Sequence, residues 1–159
     1  MASIQDKIKA CDYVIANMLS EQARIIRRNE TKIIALNTGQ FENGIGSDDK
    51  RLLNSNKRYS GRYTYFTQQV SLFEKPIAPK TEGSLYNFAW NGDFLRGMYV
   101  YIEPNNETIF LDSTGTGSGQ KALFFKGYNN LFGLNKKSEQ IVNYDIIYPE
   151  LLQWIKKYL

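Results

Sequence analysis

Met98-Tyr99-Val100-Tyr101-Ile102-Glu103-Pro104-Asn105-Asn106-Glu107-Thr108-Ile109-Phe110-Leu111-Asp112-Ser113 is the stretch whose reading decides the fold. Met98, Val100 and Ile102 alternate with Tyr99, Tyr101 and Glu103, the period of two that marks a half-buried strand. Pro104 to Glu107 is turn chemistry, because Pro presets φ and Asn tolerates the left-handed region. Thr108 to Ser113 resumes as a strand, with Ile109 and Leu111 on one face and Phe110 on the other. The two runs predict an antiparallel hairpin at the centre of a small sheet. Ahead of them stands Trp90-Asn91-Gly92-Asp93-Phe94-Leu95-Arg96-Gly97, whose Asn-Gly step predicts a turn feeding the hairpin.

Helices flank this centre. Ile4, Ile8, Cys11, Val14, Ile15, Met18, Leu19, Gln22, Ile25 and Ile26 fall at spacings of three and four. They predict an amphipathic helix over Ser3 to Arg28, with Ser3 as N-cap. Arg24, Arg27 and Arg28 cluster near its C-terminal end, where cations suit the macrodipole. A helix this long packs across a sheet or against a neighbouring subunit. Cys11, within the apolar stripe, is expected as a buried, inert thiol. At the other end, Pro149 is expected to open a last helix. Leu151, Leu152, Ile155 and Leu159 would give it an apolar face, with Lys156 and Lys157 in its last turn. The fold class is α+β: a small antiparallel sheet packed by a long N-terminal and a C-terminal helix, with long loops.

Between the first helix and the hairpin the signals are weaker. Thr31 to Leu36 is a short apolar run that periodicity leaves open between strand and helix. Asn37 to Asp49 is rich in Gly and Asx and reads as a loop. It lacks the alternating oxygen ligands and closing Glu of a calcium loop. Ser71 to Gly83 contains Pro76 and Pro79 and reads as extended. The chain is therefore expected to be one domain, 1–159, with a long exposed loop or arm at about 43–83. Beyond the hairpin, Gly115-Thr116-Gly117-Ser118-Gly119-Gln120-Lys121 has only a superficial likeness to a phosphate loop. Gln120 separates Gly119 from Lys121, and Ala122 stands where Ser or Thr would meet magnesium. A flexible surface loop is expected there. Leu134 to Ser138 reads as a turn into the next segment.

Composition narrows the chemistry. The chain has 159 residues, one cysteine and no histidine. That excludes an intramolecular disulfide, a Cys-His pair, a Ser-His-Asp triad and a His-ligated zinc. Glu82 and Asp93 are carboxylates that a glycosidase could use as a pair, but nothing in the sequence brings them together. No catalytic residue, cofactor or metal site is assigned. Gln5, Asp6, Lys7, Lys9 and Asp12 interrupt any signal-peptide core, and no run approaches 18 apolar residues. A cytoplasmic site of synthesis and no membrane partner are expected.

Charge is uneven. Residues 1–80 hold 13 Lys/Arg against 8 Asp/Glu, and residues 81–159 hold 7 against 8. Lys50, Arg51, Lys57, Arg58 and Arg62 interleave with Tyr59, Tyr63, Tyr65 and Phe66. Such a segment offers cations and stacking rings to single-stranded nucleic acid, or anchors a long loop and contacts a protein neighbour. The candidate interface residues are Lys50, Arg51, Lys57, Arg58, Tyr59, Arg62, Tyr63 and Tyr65.

Several short motifs follow one another in a telling order. After the long first helix come Leu36-Asn37-Thr38-Gly39-Gln40-Phe41 and Gly44-Ile45-Gly46-Ser47-Asp48. Tyr59-Ser60 and Tyr63-Thr64 follow. A Pro-containing connection leads to Trp90-Asn91-Gly92-Asp93-Phe94-Leu95 and Met98 to Ile102, and Phe132-Gly133-Leu134 precedes the terminal helix. Over roughly residues 30–159 this resembles the small virion-morphogenesis proteins of tailed bacteriophages, which act in tail completion or the head–tail neck. Asn91 stands where that family's hairpin turn has Thr. The resemblance implies a non-enzymatic α+β subunit made in the bacterial host cytoplasm and located in the virion. It implies a homo-oligomeric ring, six- or twelve-fold, between portal and tail. Partners would be further copies of the chain and other neck, portal or tail proteins, with packaged DNA a possible contact. The alternative reading is a nucleic-acid-binding module built on residues 50–66.

Overall fold

The computed structural model describes residues 3–55, 61–103 and 108–158. Helix α1 runs Ile4–Arg28. Ser3 caps it with both arms of a capping box: its hydroxyl accepts from the Asp6 amide at 3.1 Å, and the Asp6 carboxylate accepts from the Ser3 amide at 2.9 Å. The chain breaks at Asn29 and turns at once into α2, Glu30–Glu42. The open question at Thr31 to Leu36 is thus answered as helix, and Asn37 to Glu42 is helix rather than loop. Ile33, Asn37, Gln40 and Phe41 form its buried face. Two of these four are amides, which hides the apolar period that would have announced the helix.

Strands β1, Met98–Ile102, and β2, Ile109–Ser113, pair antiparallel with Val100 opposite Leu111. Met98 and Leu111 turn inward, while Tyr101 and Phe110 stack on the outer face at 4.9 Å. The four residues proposed as the hairpin turn, Pro104 to Glu107, lie outside the described residues. The sheet leans on α1 and α2. The Glu30 carboxylate at the start of α2 accepts from the Val100 amide at 2.8 Å and fixes that docking.

The core is largely aromatic. Phe94 stacks on Phe125 at 4.4 Å, and Phe88 touches Phe41, Phe94, Phe125 and Tyr128. Phe88 holds φ 54°, a left-handed backbone that a bulky residue adopts only when its surroundings demand it. The six ring neighbours of this one side chain, Tyr86 and Phe124 among them, supply that demand.

Three further segments differ from expectation. The Asn-Gly turn before the hairpin is followed by a one-turn helix, α4, Asp93–Arg96, entered through Gly92 at φ 84°. It buries Phe94. Residues 65–74, placed by the sequence at the end of the basic arm and in the extended connection, form α3, Tyr65–Glu74, capped by the Thr64 hydroxyl. The proposed flexible loop after β2 is a 3-10 turn, Thr114–Thr116, followed by α5, Gly119–Lys126. The turn is packed against α4 at Gly115, while residues 117–120 are exposed.

The C-terminal helical run starts earlier than Pro149. Asn135 caps α6, Lys136–Ile141, accepting from the Ser138 amide at 2.9 Å. A π-helical turn, Val142–Ile147, leads into α7, Tyr148–Ile155. Proline lacks the amide hydrogen and its ring crowds the carbonyl one turn back. The wider π turn just before Pro149 gives that carbonyl room, so the helix continues through it. Val142, Ile146, Ile147 and Trp154 pack this run into the core, and Glu150 ties it to the α1–α2 corner. The Glu150 carboxylate accepts from Asn29 at 2.8 Å and pairs with Arg28.

Candidate functional site

The 79–90 segment is organised around Lys80. Its side chain is 3% exposed although it carries a cation. The ammonium donates to the Asn87 side-chain oxygen at 2.5 Å and to the Ala89 carbonyl at 2.9 Å. It also lies 5.3 Å from the centre of the Tyr63 ring and 5.9 Å from that of Trp90. Cation–π attraction and two hydrogen bonds offset the loss of water. Burial still lowers the Lys80 pKa from 10.5 to about 8. The Tyr63 hydroxyl closes the network, donating to the Asn87 side chain at 2.9 Å and accepting from its amide at 3.1 Å.

Above this network opens a cavity of about 390 Å³ lined by Tyr63, Lys80, Tyr86, Trp90 and Phe124, with Lys121 at its edge. Its walls are aromatic. Chemically it suits a flat apolar group. Lys80 is pinned by the donor bonds it makes, so its role in the fold is to hold Asn87 and Ala89 in place. The Asp93 carboxylate nearby accepts from Asn91 and Arg96 and lies 3.8 Å from Lys121. These are the groups that hold it; its proposed partner Glu82 sits in an exposed turn whose amide donates to Gln68. Among the described residues no group of three or more metal-binding side chains is gathered.

The candidate interface residues part company. Lys57, Arg58 and Tyr59 lie outside the described residues. Lys50 and Arg51 are exposed, with Lys50 3.7 Å from Asp48. Arg62 is exposed and its guanidinium donates to the Gly83 carbonyl at 2.5 Å. Tyr63 is buried, with its hydroxyl in the Lys80 network, and its ring lines the cavity rather than standing beside the exposed cations as an outer stacking face. Tyr65 is 60% exposed at the head of α3. Between these cations the chain is tied to the body, for Leu52 is part of the core and Arg62 bridges Leu85.

What the sequence reading missed is the extent of bare apolar surface on two helices. On α1, Ile4, Ile8, Ile15 and Leu19 are all more than half exposed. Cys11 lies among them and is also exposed, contrary to the buried thiol expected from its place in the stripe. The body covers the C-terminal part of the helix, through Glu21, Ile25 and Ile26, and nearer the N-terminus only a flank, through Val14 and the Tyr13–Tyr158 ring contact. The N-terminal part of α1 runs past what the body covers, so that part of the stripe is left over. On α3, Tyr65, Phe66, Leu72 and Phe73 are exposed, and Ile77 follows just beyond. No described helix is long and apolar enough to cross a membrane.

No protein-family model matches the chain, and neither a curated protein nor a solved structure matches it.

Proposed function

We propose that this protein is a structural subunit of a tailed-phage virion, a tail-completion or head–tail connector protein that works by assembling into a ring between portal and tail. The observation that carries the reading is the bare apolar face of α1, where Ile4, Ile8, Ile15 and Leu19 are exposed on a well-capped helix. Contiguous exposed apolar surface on an ordered element marks a contact to be made. The short motifs at residues 36–48, 90–102 and 132–134 support the phage assignment by resemblance. The nucleic-acid alternative keeps Lys50, Arg51 and Arg62 but loses Tyr63 as a stacking ring.

The test is a stop codon in the gene on the phage genome, with the chain supplied from a plasmid as control. The expected result is filled heads and free tails that do not join, rescued by the plasmid. Normal joined particles without the protein would refute the reading.

A further inference from the structure

We propose that the assembly contact is heterologous: the bare face of α1 in one subunit packs on the bare face of α3 in the next. This rests on the assembly reading and names its contact. Ile4, Ile8, Cys11, Ile15 and Met18 are spaced four, three, four and three residues apart. Alternation of three and four keeps side chains on one narrow seam and is the spacing that receives side chains from a second helix. The stripe therefore asks for a helix as its partner.

α3 is the helix that fits. Phe66 and Phe73 are seven residues apart, as are Tyr65 and Leu72, and all four are 60% or more exposed. α3 is held to the body by polar side-chain ties, with the Trp90 indole donating to the Glu74 carboxylate at 3.0 Å and the Gln68 side-chain oxygen accepting from the Glu82 amide. Its large apolar side chains are thus left facing outward. The lengths agree: at about 1.5 Å per residue, ten residues of α3 extend about 15 Å and lie within the roughly 24 Å of α1 from Ile4 to Leu19.

Self-pairing of α1 would leave the α3 face bare in every copy. A contact of α1 on the next α3 covers both faces with one interface, and such head-to-tail contacts generate rings when the rotation closes. Two short helix faces make a contact at the small end of specific interfaces, which bury roughly 1,200–2,000 Å². It is expected to form at high protein concentration and to gain strength when closure lets every chain bind twice.

The experiment uses the full chain and two surface variants, Ile8→Lys/Ile15→Lys on α1 and Phe66→Lys/Phe73→Lys on α3. All four residues are exposed, so thermal melting is expected to match the parent and serves as the control for folding. Light scattering is read from micromolar to millimolar protein. The parent is expected to rise in mass beyond a dimer. Each variant alone stays monomeric, and an equimolar mixture stops at a dimer, because one intact α1 face meets one intact α3 face. In a Phe73→Cys chain, a short bismaleimide joins Cys11 to the introduced thiol of the next subunit and gives a ladder of cross-linked species. An α3 variant that still associates like the parent, a mixture that stays monomeric, or a parent that is monomeric throughout would each overturn the proposal. The gene-stop experiment reads particles and this one reads mass in solution, so the failure of one is told apart from the failure of the other.

Discussion

The Asn37 side-chain amide donates to the carbonyl of Gly133 at 2.8 Å and to that of Leu131 at 3.1 Å, across 96 and 94 residues of sequence. One turn along α2, Gln40 repeats the clamp, donating to Gly133 at 3.0 Å and accepting from the Asn135 amide at 2.8 Å. Two amides on one helix face thus satisfy the backbone of the loop that leads into α6. Asn37 is fully buried and Gln40 nearly so. A buried carbonyl without a donor costs about 1–3 kcal/mol. Asn37→Ala strands the Leu131 carbonyl, since Gly133 keeps its donor in Gln40, and is expected to lower unfolding free energy by about 1–3 kcal/mol. Asn37→Asp is expected to be worse at neutral pH, since a carboxylate would face two carbonyl oxygens, and to recover as acid protonates it. Urea denaturation of the three proteins at pH 7 and pH 5 decides the point. Equal stability of Asn37→Asp and Asn37→Ala at both pH values would refute the clamp.

At Gly115 the opposing backbone leaves no room for a side chain. A Cβ built there would lie 2.1 Å from the Asp93 carbonyl oxygen and 2.6 Å from the Phe94 Cα. The 3-10 turn presses on α4 at that point, and the Ser113 hydroxyl holds the pair by donating to the Phe94 carbonyl at 2.6 Å. Because the opposing atoms are backbone, a methyl group must push α4 outward and take Phe94 from its stack on Phe125. Gly115→Ala is expected to cost about 1–3 kcal/mol by overpacking. Gly39, inside α2 with nothing near its would-be Cβ, gives the contrast. Gly39→Ala is expected to add about 0.5–1 kcal/mol by removing unfolded-state freedom. Thermal melts that moved the two variants in the same direction would contradict this account.

These residues explain how far the sequence could be read. The hairpin strands, the Ser3 cap and the α1 span were legible because their signals are local: a period of two, a hydroxyl before a helix, a stripe at three and four. α2 was half hidden, since Asn37 and Gln40 bury amides whose partners lie over ninety residues away. α3 lay unseen because its apolar residues face outward and a Pro-containing stretch follows. The Lys80 site was not legible at all. No local pattern announces that a lysine will be buried between Tyr63 and Trp90, and the only signal was a cation among aromatic residues. The proposed interface at 50–66 combined exposed cations with a tyrosine, Tyr63, that the core had already taken.

Lys80 makes stability depend on pH in the alkaline range. Its pKa falls to about 8 in the folded chain and is 10.5 when unfolded. Between these values the unfolded state binds more protons, so stability rises with pH there. Below pH 8 the charged lysine is buried at full cost; through pH 8 to about 10 that cost is progressively relieved. A pKa unit corresponds to about 1.4 kcal/mol, and the bonds to Asn87 and Ala89 and the two rings oppose the relief. The expected gain is about 1–2 kcal/mol from pH 7 to pH 10. Above pH 10 the trend reverses, because burial raises the Tyr63 phenol pKa and an unfolded tyrosine releases its proton first. Lys80→Met keeps the length of the stem and removes the titration. Its urea midpoint is expected to stay level between pH 7 and pH 10 while that of the parent rises. A parent midpoint that stays as level as that of Lys80→Met over this range would show that the buried ammonium keeps its proton and that its aromatic and amide partners outweigh the lost water.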